Sequence, residues 1–159
     1  MVAAFSGKKY TKQQALEKIK WYCANQERCH TEVRRKLYQW GLFSNEVEEV
    51  LSTLITENFV DELRFAEAYV SGKIRIKHWG RNKIKAGLVQ LQISKQCISK
   101  AMASIDEEAY LQNLQNLAKQ KTNLLDEKLN SYERNAKIAR FLQGKGYEYS
   151  LIKEILQEL

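Results

Sequence analysis

The stretch "HTEVRRKLYQWGLFSNEVEEVL", residues 30–51, carries apolar residues at helical spacing on both sides of a glycine. Val33 and Leu37 begin one stripe that stops near Gly41, and a second stripe begins at Val47. Glycine is typical of the left-handed position that ends a helix. The stretch therefore predicts two helices joined by a short turn.

The same pattern returns twice further along the chain. Shifted by 51 residues, it is filled by Ile84, Leu88, Leu91, Ile98, Ala101 and Met102. Shifted by 105 residues, it is filled by Ile138, Leu142, Gly146, Ile152, Ile155 and Leu156. Another helix precedes each copy, opened by Thr11 with Gln14 in a capping box, by Asp61 or by Asp106. We expect an all-α fold of nine helices: a tail at 1–10 and three tandem three-helix repeats at 11–58, 59–105 and 106–159.

Several helix ends can be predicted from single residues. Gly41 and Gly146 suit a left-handed helix end, whereas Gln92 occupies the same position in the second repeat, so that this helix end should either differ or carry some strain. Ser44 and Ser94 are predicted to cap the helices that follow. We expect the segment 121–134, with many polar residues, to be the least regular part of the chain.

The stretch "NFVDELRFAEAYV", residues 58–70, is predicted to join the first two repeats. The third helix should end near Asn58, and Phe59 and Val60 should then tuck into the junction. After Asp61 the next helix has one apolar face, formed by Phe65, Ala66, Tyr69 and Val70. A structural joint explains these aromatic residues better than a binding site does.

Composition argues against several classes of protein. The chain has no proline and seven glycines, which favours helix almost everywhere. No apolar run is long enough to span a bilayer, and the start does not resemble a signal peptide, so we expect a cytoplasmic protein without membrane contact. Cys23, Cys29 and Cys97 lack the spacing of a zinc site or a disulfide framework.

Catalytic chemistry is not indicated either. His30 and His78 are the only histidines, and they lie in different repeats. Gly144 and Gly146 lack the strand and the lysine-serine pair of a phosphate loop. Acidic clusters at helix starts are best explained as partners of the helix dipole. We therefore expect neither an enzyme, nor a metal site, nor a cofactor.

Positive charge is concentrated in the middle of the chain. Residues 61–105 hold nine Lys and Arg against three Asp and Glu, and no acidic residue occurs between Ala68 and Ile105. In "SGKIRIKHWGRNKIKAGL", residues 71–88, cations alternate with apolar residues, so that a helix could bury one side and present cations on the other. The candidate binding residues are Lys73, Arg75, Lys77, Arg81, Lys83 and Lys85. A polyanion-binding surface is favoured over a merely solvated face, because solubilising faces usually mix both signs.

Sequence-specific DNA reading is not favoured. The second and third helices of each repeat are arranged as in a helix-turn-helix motif, which reads bases from the start of its last helix. The corresponding residues begin at Asn45, Lys95 and Tyr149 and share no basic or amide pattern. Contact with phosphates, without base readout, remains the better hypothesis.

Three segments together resemble the RecX family: "EVRRKLYQWGL", "NFVDELRFAEAYV" and "KIARFLQGKGYEYSLIKEIL". Asp61, Arg64, Phe65 and Ala66 match the family's central D-x-x-R-F-A pattern, and Arg34, Arg35, Lys36 and Leu37 match its R-R-K-L pattern. Cys29 replaces the usual small capping residue, and Gly80-Arg81 replaces a glycine-proline turn, so these two helix starts could differ from the family.

The resemblance implies an elongated, curved body that binds the RecA–DNA filament and inhibits recombinase and coprotease activity. It adds Arg34, Arg35 and Lys36 to the candidate surface and implies a monomer that contacts RecA, single-stranded DNA and double-stranded DNA. Two other functions are left open at this point. One is a non-specific DNA-binding helical-repeat protein, and the other is a helical scaffold that binds only proteins.

Overall fold

The structure, a computed structural model, describes residues 9–159, so the predicted tail lies almost entirely outside the described residues. Within that range the chain is all-α, as predicted, and contains nine α-helices. They are α1 (Lys12–Asn25), α2 (His30–Gln39), α3 (Ser44–Thr56), α4 (Glu62–Gly72), α5 (Arg81–Gln90), α6 (Lys95–Ala103), α7 (Glu107–Leu124), α8 (Ser131–Gly144) and α9 (Tyr149–Glu158). A π-helical turn, Lys73–Lys77, directly follows α4.

Buried side chains form three groups, one for each set of three helices. We call α1–α3 repeat 1, α4–α6 repeat 2 and α7–α9 repeat 3. Phe65, Ala66 and Val70 are buried in the core of repeat 2, which confirms the apolar face predicted for α4. Val60 is buried on repeat 1, and Phe59 packs against the same core.

The second helix of each repeat ends in the same way. Gly41, Gln92 and Gly146 all have positive φ, at 83°, 61° and 97°. The residue after each one donates its backbone N–H to a carbonyl five positions back: Leu42 to Leu37 at 3.2 Å, Ile93 to Leu88 at 3.1 Å and Tyr147 to Leu142 at 3.2 Å. Gln92 thus adopts the glycine conformation despite its Cβ, at a cost of about 1–2 kcal/mol. Of the two predicted outcomes, the helix end does not differ from the others, and its positive φ at Gln92 agrees with the predicted strain.

Most of the predicted helix caps are present. The hydroxyl of Thr11 accepts the N–H of Gln14, whose side chain accepts the N–H of Thr11 in return. The carboxylate of Asp61 accepts the N–H of Arg64 at 2.8 Å, and the hydroxyl of Ser94 accepts an N–H at 3.3 Å. Asp106 caps α7 through its carboxylate. Local sequence therefore fixes where these helices begin.

The cap predicted at Ser44 is wrong. Ser44 is already the first residue of α3, and Phe43 takes the capping position. The N–H of Phe43 donates instead to the carboxylate of Glu46 at 3.2 Å. The shift of 51 residues that relates the first two repeats aligns Ser94 with Phe43, not with Ser44. The prediction for Ser44 is therefore one residue out of register.

The irregular part of repeat 3 is shorter than predicted. Helix α7 continues to Leu124 and α8 begins at Ser131, so only residues 125–130 of the predicted segment 121–134 are non-helical. The side chain of Asn130 caps α8 by accepting the N–H of Glu133 at 2.8 Å. A good cap thus lets the helix start within the polar segment.

The segment 71–88 is not one helix. After the π-helical turn, His78 has a φ of 55°, and α5 begins at Arg81. The break brings Gly80 against repeat 3, where its N–H donates to the carbonyl of Lys145 at 2.7 Å. A Cβ on Gly80 would lie 2.3 Å from the backbone of Gly146. Only glycine allows this approach, so the chain bends here to join two repeats.

Repeats 1 and 2 are joined by polar contacts as well. The hydroxyl of Thr31 in α2 donates to the carbonyl of Leu91 at 3.0 Å. Arg64 in α4 donates to Glu27, in the link after α1, at 2.6 Å. Cys29 occupies the capping position just before α2 but is fully buried in the core of repeat 2. Throughout residues 9–159, every helix is too short or too polar to cross a bilayer.

Candidate nucleic-acid interface

Residues 68–105 contain no Asp or Glu, and we call them the acid-free segment. They form the end of α4, the π-helical turn, α5 and α6. Four of the predicted cations in this segment are exposed: Arg75, Lys77, Lys83 and Lys85. Within residues 9–159, these four and Lys73 form no ion pair. Their charge is therefore not compensated by a carboxylate of the described chain.

The ring of Trp79 lies beside two lysines of the acid-free segment. The Nζ of Lys73, in the π-helical turn, and the Nζ of Lys83, in α5, each lie 4.6 Å from the centre of its ring. Ammonium groups are attracted to the face of an indole, which orients both side chains. We call Lys73 and Lys83 the lysine pair. Two cations held at one ring form a local concentration of positive charge suited to a phosphate group.

Repeat 3 holds the backbone of this turn in place. The side-chain amide of Asn113 donates to the carbonyl of Ile74 at 3.1 Å. The hydroxyl of Tyr147 donates to the carbonyl of His78 at 2.8 Å. Burial raises the pKa of Tyr147, so this hydroxyl keeps its proton and remains a donor. The lysine pair thus stands on a backbone supported from another repeat.

Arg81 has a structural role that its neighbours do not share. Its guanidinium bonds to Glu148 at 2.8 Å and to Glu107, and it stacks 4.0 Å from the ring centre of Tyr110. Burial lowers the pKa of Arg81, but the bonds to Glu148 and Glu107 more than offset this, so the pKa is raised overall. Arg81 is therefore occupied in joining repeats 2 and 3, and we leave it out of the binding surface.

The cations predicted in repeat 1 differ from one another. Arg34 is paired with Glu48 through two bonds of 2.8 and 3.2 Å, and this pairing lowers the pKa of Glu48. Lys36 lies over the rings of Tyr22 and Trp40, and Arg35 is exposed. Arg35 and Lys36 remain candidates, whereas the charge of Arg34 is already compensated.

Sequence reasoning missed the role of Trp79 and the partners of Arg81. The tryptophan could have been noticed, because it lies in "KIRIKHWGRNK", residues 73–83, where it is the one aromatic residue among cations. The partners of Arg81 could not, because Glu107 and Glu148 lie in another repeat.

The cysteines of the described chain are poorly suited to nucleophilic chemistry. All three are free thiols, and burial raises the pKa of Cys23 from 9.0 to about 11. A neutral thiol is a poor nucleophile. Across residues 9–159, His, Cys, Asp and Glu side chains form no cluster of three or more that could hold a metal ion.

Comparison with known proteins supports the resemblance. Residues 61–102 match the model of the RecX second three-helix domain, and residues 107–156 match that of the third. The regulatory protein RecX of Clostridium botulinum strain Alaska E43 is 33% identical over 128 residues, which is 80% of this chain and 59% of the relative. That of Clostridium perfringens strain 13 is 31% identical over 129 residues, covering 80% of this chain and 60% of the relative. The chain thus spans about three-fifths of the length of these curated relatives.

Solved structures show the same fold. The crystal structure of RecX from Lactobacillus salivarius superposes with a TM-score of 0.81 at 23% identity, covering 93% of this chain and 96% of that one. A second crystal structure, of regulatory protein RecX, gives a TM-score of 0.82 at 22% identity and covers 93% of this chain and 72% of that one. With two of the family's three-helix domains matched in order and the fold shared, the chain belongs to the RecX family.

Proposed function

We propose that this chain is a non-enzymatic regulator that binds the RecA–single-stranded DNA filament and inhibits its recombinase and coprotease activities. Membership of a family of regulatory proteins supports the regulatory role. The observation that carries the binding role is the lysine pair at Trp79, within a segment that contains no acidic residue. We further propose that the protein acts as a monomer in the cytoplasm.

Contact with DNA in this proposal is electrostatic. The phosphates of the DNA held in the filament are approached by five cations: Lys73, Arg75, Lys77, Lys83 and Lys85. Each phosphate contact releases condensed counterions, which makes binding favourable and dependent on salt. Base sequence is not read, because the starts of α3, α6 and α9 share no residue pattern suited to base edges.

Inhibition follows from occupancy in this proposal. A helical body lodged in the filament groove occupies the space that a second DNA strand needs for exchange. The same body obstructs access of the repressor that the coprotease activity cleaves. Neither effect requires a catalytic group on the regulator.

The experiment is a titration of RecA ATPase activity on single-stranded DNA with this protein. A filament regulator should inhibit at amounts well below one molecule per DNA site, because one bound molecule affects many RecA subunits. A matched reaction contains the same protein with Lys77, Lys83 and Lys85 changed to glutamate. Inhibition only at concentrations that coat the DNA would contradict the proposal.

The second candidate is a non-specific DNA-binding protein that acts without RecA. The uncompensated cations of the acid-free segment support it equally well, because they need only a polyanion. Such a protein would displace RecA by stoichiometric coating of the DNA. A helical scaffold that binds only proteins is a third candidate, and it predicts that DNA alone does not bind.

A further inference from the structure

The π-helical turn, Lys73–Lys77, gives repeat 2 a feature that repeat 1 lacks. In repeat 1 the capping residues of the first two helices are Thr11 and Cys29. Their counterparts in repeat 2, Asp61 and Gly80, lie one residue further apart in the chain. A π-helical turn takes up an additional residue within a helix, and such turns are frequent at functional sites. The extra residue of repeat 2 therefore produces a local bulge at the end of α4.

Ile76 is an exposed apolar residue on this bulge, with 67% of its surface accessible. Among the large apolar residues that are exposed within residues 9–159, it alone has a basic residue on each side in the chain, Arg75 and Lys77. Both neighbours are exposed, and neither forms an ion pair within the same range. An apolar side chain is thus displayed where uncompensated cations would attract a polyanion.

The turn separates two clefts of about 400 Å³ each. Ile76 lines the first cleft together with Lys73 and Lys77, while Arg75 lines the second. A nucleic-acid strand that crosses the turn would therefore meet cations on both sides of Ile76. The phosphates can be held by these cations, which leaves Ile76 facing the bases between them.

The first cleft also has an acidic wall, which includes Glu27 and Glu32. Both carboxylates are engaged within the protein, because Glu27 accepts from Arg64 at 2.6 Å and Glu32 accepts the N–H of Cys29 at 3.1 Å. Their negative charge still disfavours a phosphate inside this cleft. We therefore expect a strand to follow the rim of the cleft, over Ile76, and not to enter it.

The backbone that carries Ile76 is held on both sides. Asn113 of repeat 3 donates to the carbonyl of Ile74 at 3.1 Å, and Tyr147 donates to the carbonyl of His78 at 2.8 Å. A side chain that pushes bases apart needs such support, because unstacking a base step costs free energy that would otherwise displace a loose turn.

We propose that Ile76 inserts between neighbouring bases of single-stranded DNA and unstacks them, while Arg75 and Lys77 bind the phosphates on either side. Proteins that kink DNA insert isoleucine, leucine and other apolar side chains between base steps in this way. Isoleucine has no hydrogen-bonding group in its side chain, so the contact does not read a base sequence. This inference rests on the DNA contact of the proposed function and adds to it a contact with the bases.

The test uses the full chain, without RecA, and an oligonucleotide of deoxyadenosine that contains 2-aminopurine at regular intervals. Stacking quenches the fluorescence of 2-aminopurine, so saturating protein should increase the fluorescence. Ile76→Ala should abolish this increase and weaken binding by about threefold to tenfold, as loss of a partly buried apolar contact does. The salt dependence of binding should not change, because no phosphate contact is lost.

Two further variants separate the apolar contact from the charges. Ile76→Leu retains an apolar side chain of the same size and should keep the increase in fluorescence. Lys77→Ala removes a phosphate contact, so the slope of log affinity against log salt should become shallower by roughly 0.7. At saturation this second variant should still increase the fluorescence, because Ile76 is present.

Val89→Ala is the matched control. Val89 lies in α5, within the acid-free segment, and is 57% exposed, but its nearest cation in the chain is Lys85, four positions away. This variant should keep both the affinity and the increase in fluorescence. Because Ile76 and Val89 are both exposed, neither alanine variant should change the melting temperature appreciably, and a thermal melt checks this.

Several results would overturn the inference. They are unchanged fluorescence when the native protein saturates the oligonucleotide, an increase that Ile76→Ala retains, and absence of binding at low salt. If Ile76→Ala abolishes inhibition of RecA but keeps native DNA affinity and fluorescence, Ile76 contacts protein and the inference is also wrong. Failure of the proposed function has a different signature, namely a native protein that unstacks the oligonucleotide but does not inhibit in the RecA ATPase titration.

Discussion

Arg81 and Glu148 are joined by a hydrogen bond of 2.8 Å, although 67 residues separate them. Their side chains are only 24% and 28% exposed, and the same guanidinium also bonds to Glu107. The hydroxyl of Tyr110 links the two ends of this contact, because it donates to Glu148 and accepts the N–H of Arg81. One side chain from α5 thus connects to α7 and to the residue that precedes α9.

The first prediction concerns this contact. Arg81→Met should lower the free energy of unfolding by about 1–3 kcal/mol, because the partly buried carboxylate of Glu148 loses its charged donor and keeps only the hydroxyl of Tyr110. Thermal unfolding followed by circular dichroism measures the change. Lys85→Met, at an exposed position of the same helix without an ion pair in residues 9–159, should leave the melting temperature almost unchanged. Equal melting temperatures for the two variants would show that Arg81 is not structural.

Gln92 provides a prediction of increased stability. Its φ of 61° is strained for any residue with a Cβ. Gln92→Gly should therefore raise the free energy of unfolding by about 1 kcal/mol, the strain removed less the greater entropy of the unfolded chain. Gln120→Gly, in the exposed interior of α7, should have the opposite sign, lowering stability by about 0.5–1 kcal/mol. Urea unfolding at equilibrium measures both, and destabilisation by Gln92→Gly would contradict the strain argument.

A substitution at Phe65 tests whether the stability of the first two repeats depends on this packed aromatic ring. It is 5% exposed in the core of repeat 2, so Phe65→Ala should cost about 3–5 kcal/mol. Tyr132, which is 83% exposed, provides the matched aromatic control, and Tyr132→Ala should change stability by less than about 0.5 kcal/mol. Loss of RecA inhibition with an unchanged melting temperature would instead identify Phe65 as a contact residue.

The charge of the acid-free segment can be tested without disturbing the joint at Arg81. Changing Lys77, Lys83 and Lys85 to glutamate should sharply weaken binding to single-stranded DNA while retaining helical content. The slope of log affinity against log salt should become shallower by roughly 0.7 for each lost phosphate contact. Binding titrations at several salt concentrations measure both quantities.

The control for that variant lies in repeat 3. Lys119, Lys128 and Lys137 are also exposed, and the last two have acidic residues within four positions in the chain. Changing these three to glutamate should weaken binding much less. Equal loss of DNA affinity in the two triple variants would mean that binding depends only on the net charge of the protein. Repeat 2 would then not be the binding surface.

The cysteines give a prediction about reactivity and pH. At pH 8 the native protein should react with a thiol reagent mainly at Cys97, which is partly exposed, while Cys23 and Cys29 are buried. Burial raises the pKa of Cys23 from 9.0 to about 11, so the folded state favours the neutral thiol. The stability that this preference contributes is complete below pH 9 and is lost as the pH rises towards 11. Mass spectrometry after alkylation measures the order of reaction. Rapid labelling of Cys23 in the folded protein would be inconsistent with the structure.

Measuring the free energy of unfolding at pH 8 and pH 10 tests the predicted loss of stability. The free energy of unfolding should fall between these values, and it should fall less in Cys23→Ala, which has no thiol to ionise. An identical loss in both proteins would assign the effect to other titrating groups.

The sequence predicts the helices well because their signals are local. Apolar residues at helical spacing around Leu37, Leu88 and Leu142, together with caps such as Asp61, mark each helix within a few residues. Ser44 shows the limit of such signals. A serine near a helix start does not itself determine which residue leaves the helical conformation, and a shift of one position changes the cap.

The candidate site could be predicted only in part, because charge can be counted from sequence but pairing cannot. Arg81 and Lys83 look alike in the chain, yet one is paired across a joint and the other is exposed over Trp79. The π-helical turn is likewise held by Asn113, which is 39 residues from the carbonyl it binds. Contacts between repeats decide which cations remain available, and no local pattern encodes them.

The close approach of Gly80 and Gly146 has a mechanical consequence. Backbone hydrogen bonds on both sides of it, from Gly80 to Lys145 at 2.7 Å and from Asn82 to Gly146 at 2.9 Å, leave no side chain between the two segments that could act as a flexible spacer. The turn that carries Trp79 therefore moves with repeat 3 as one solid piece. Any displacement of the carboxyl-terminal helices is therefore transmitted directly to the lysine pair.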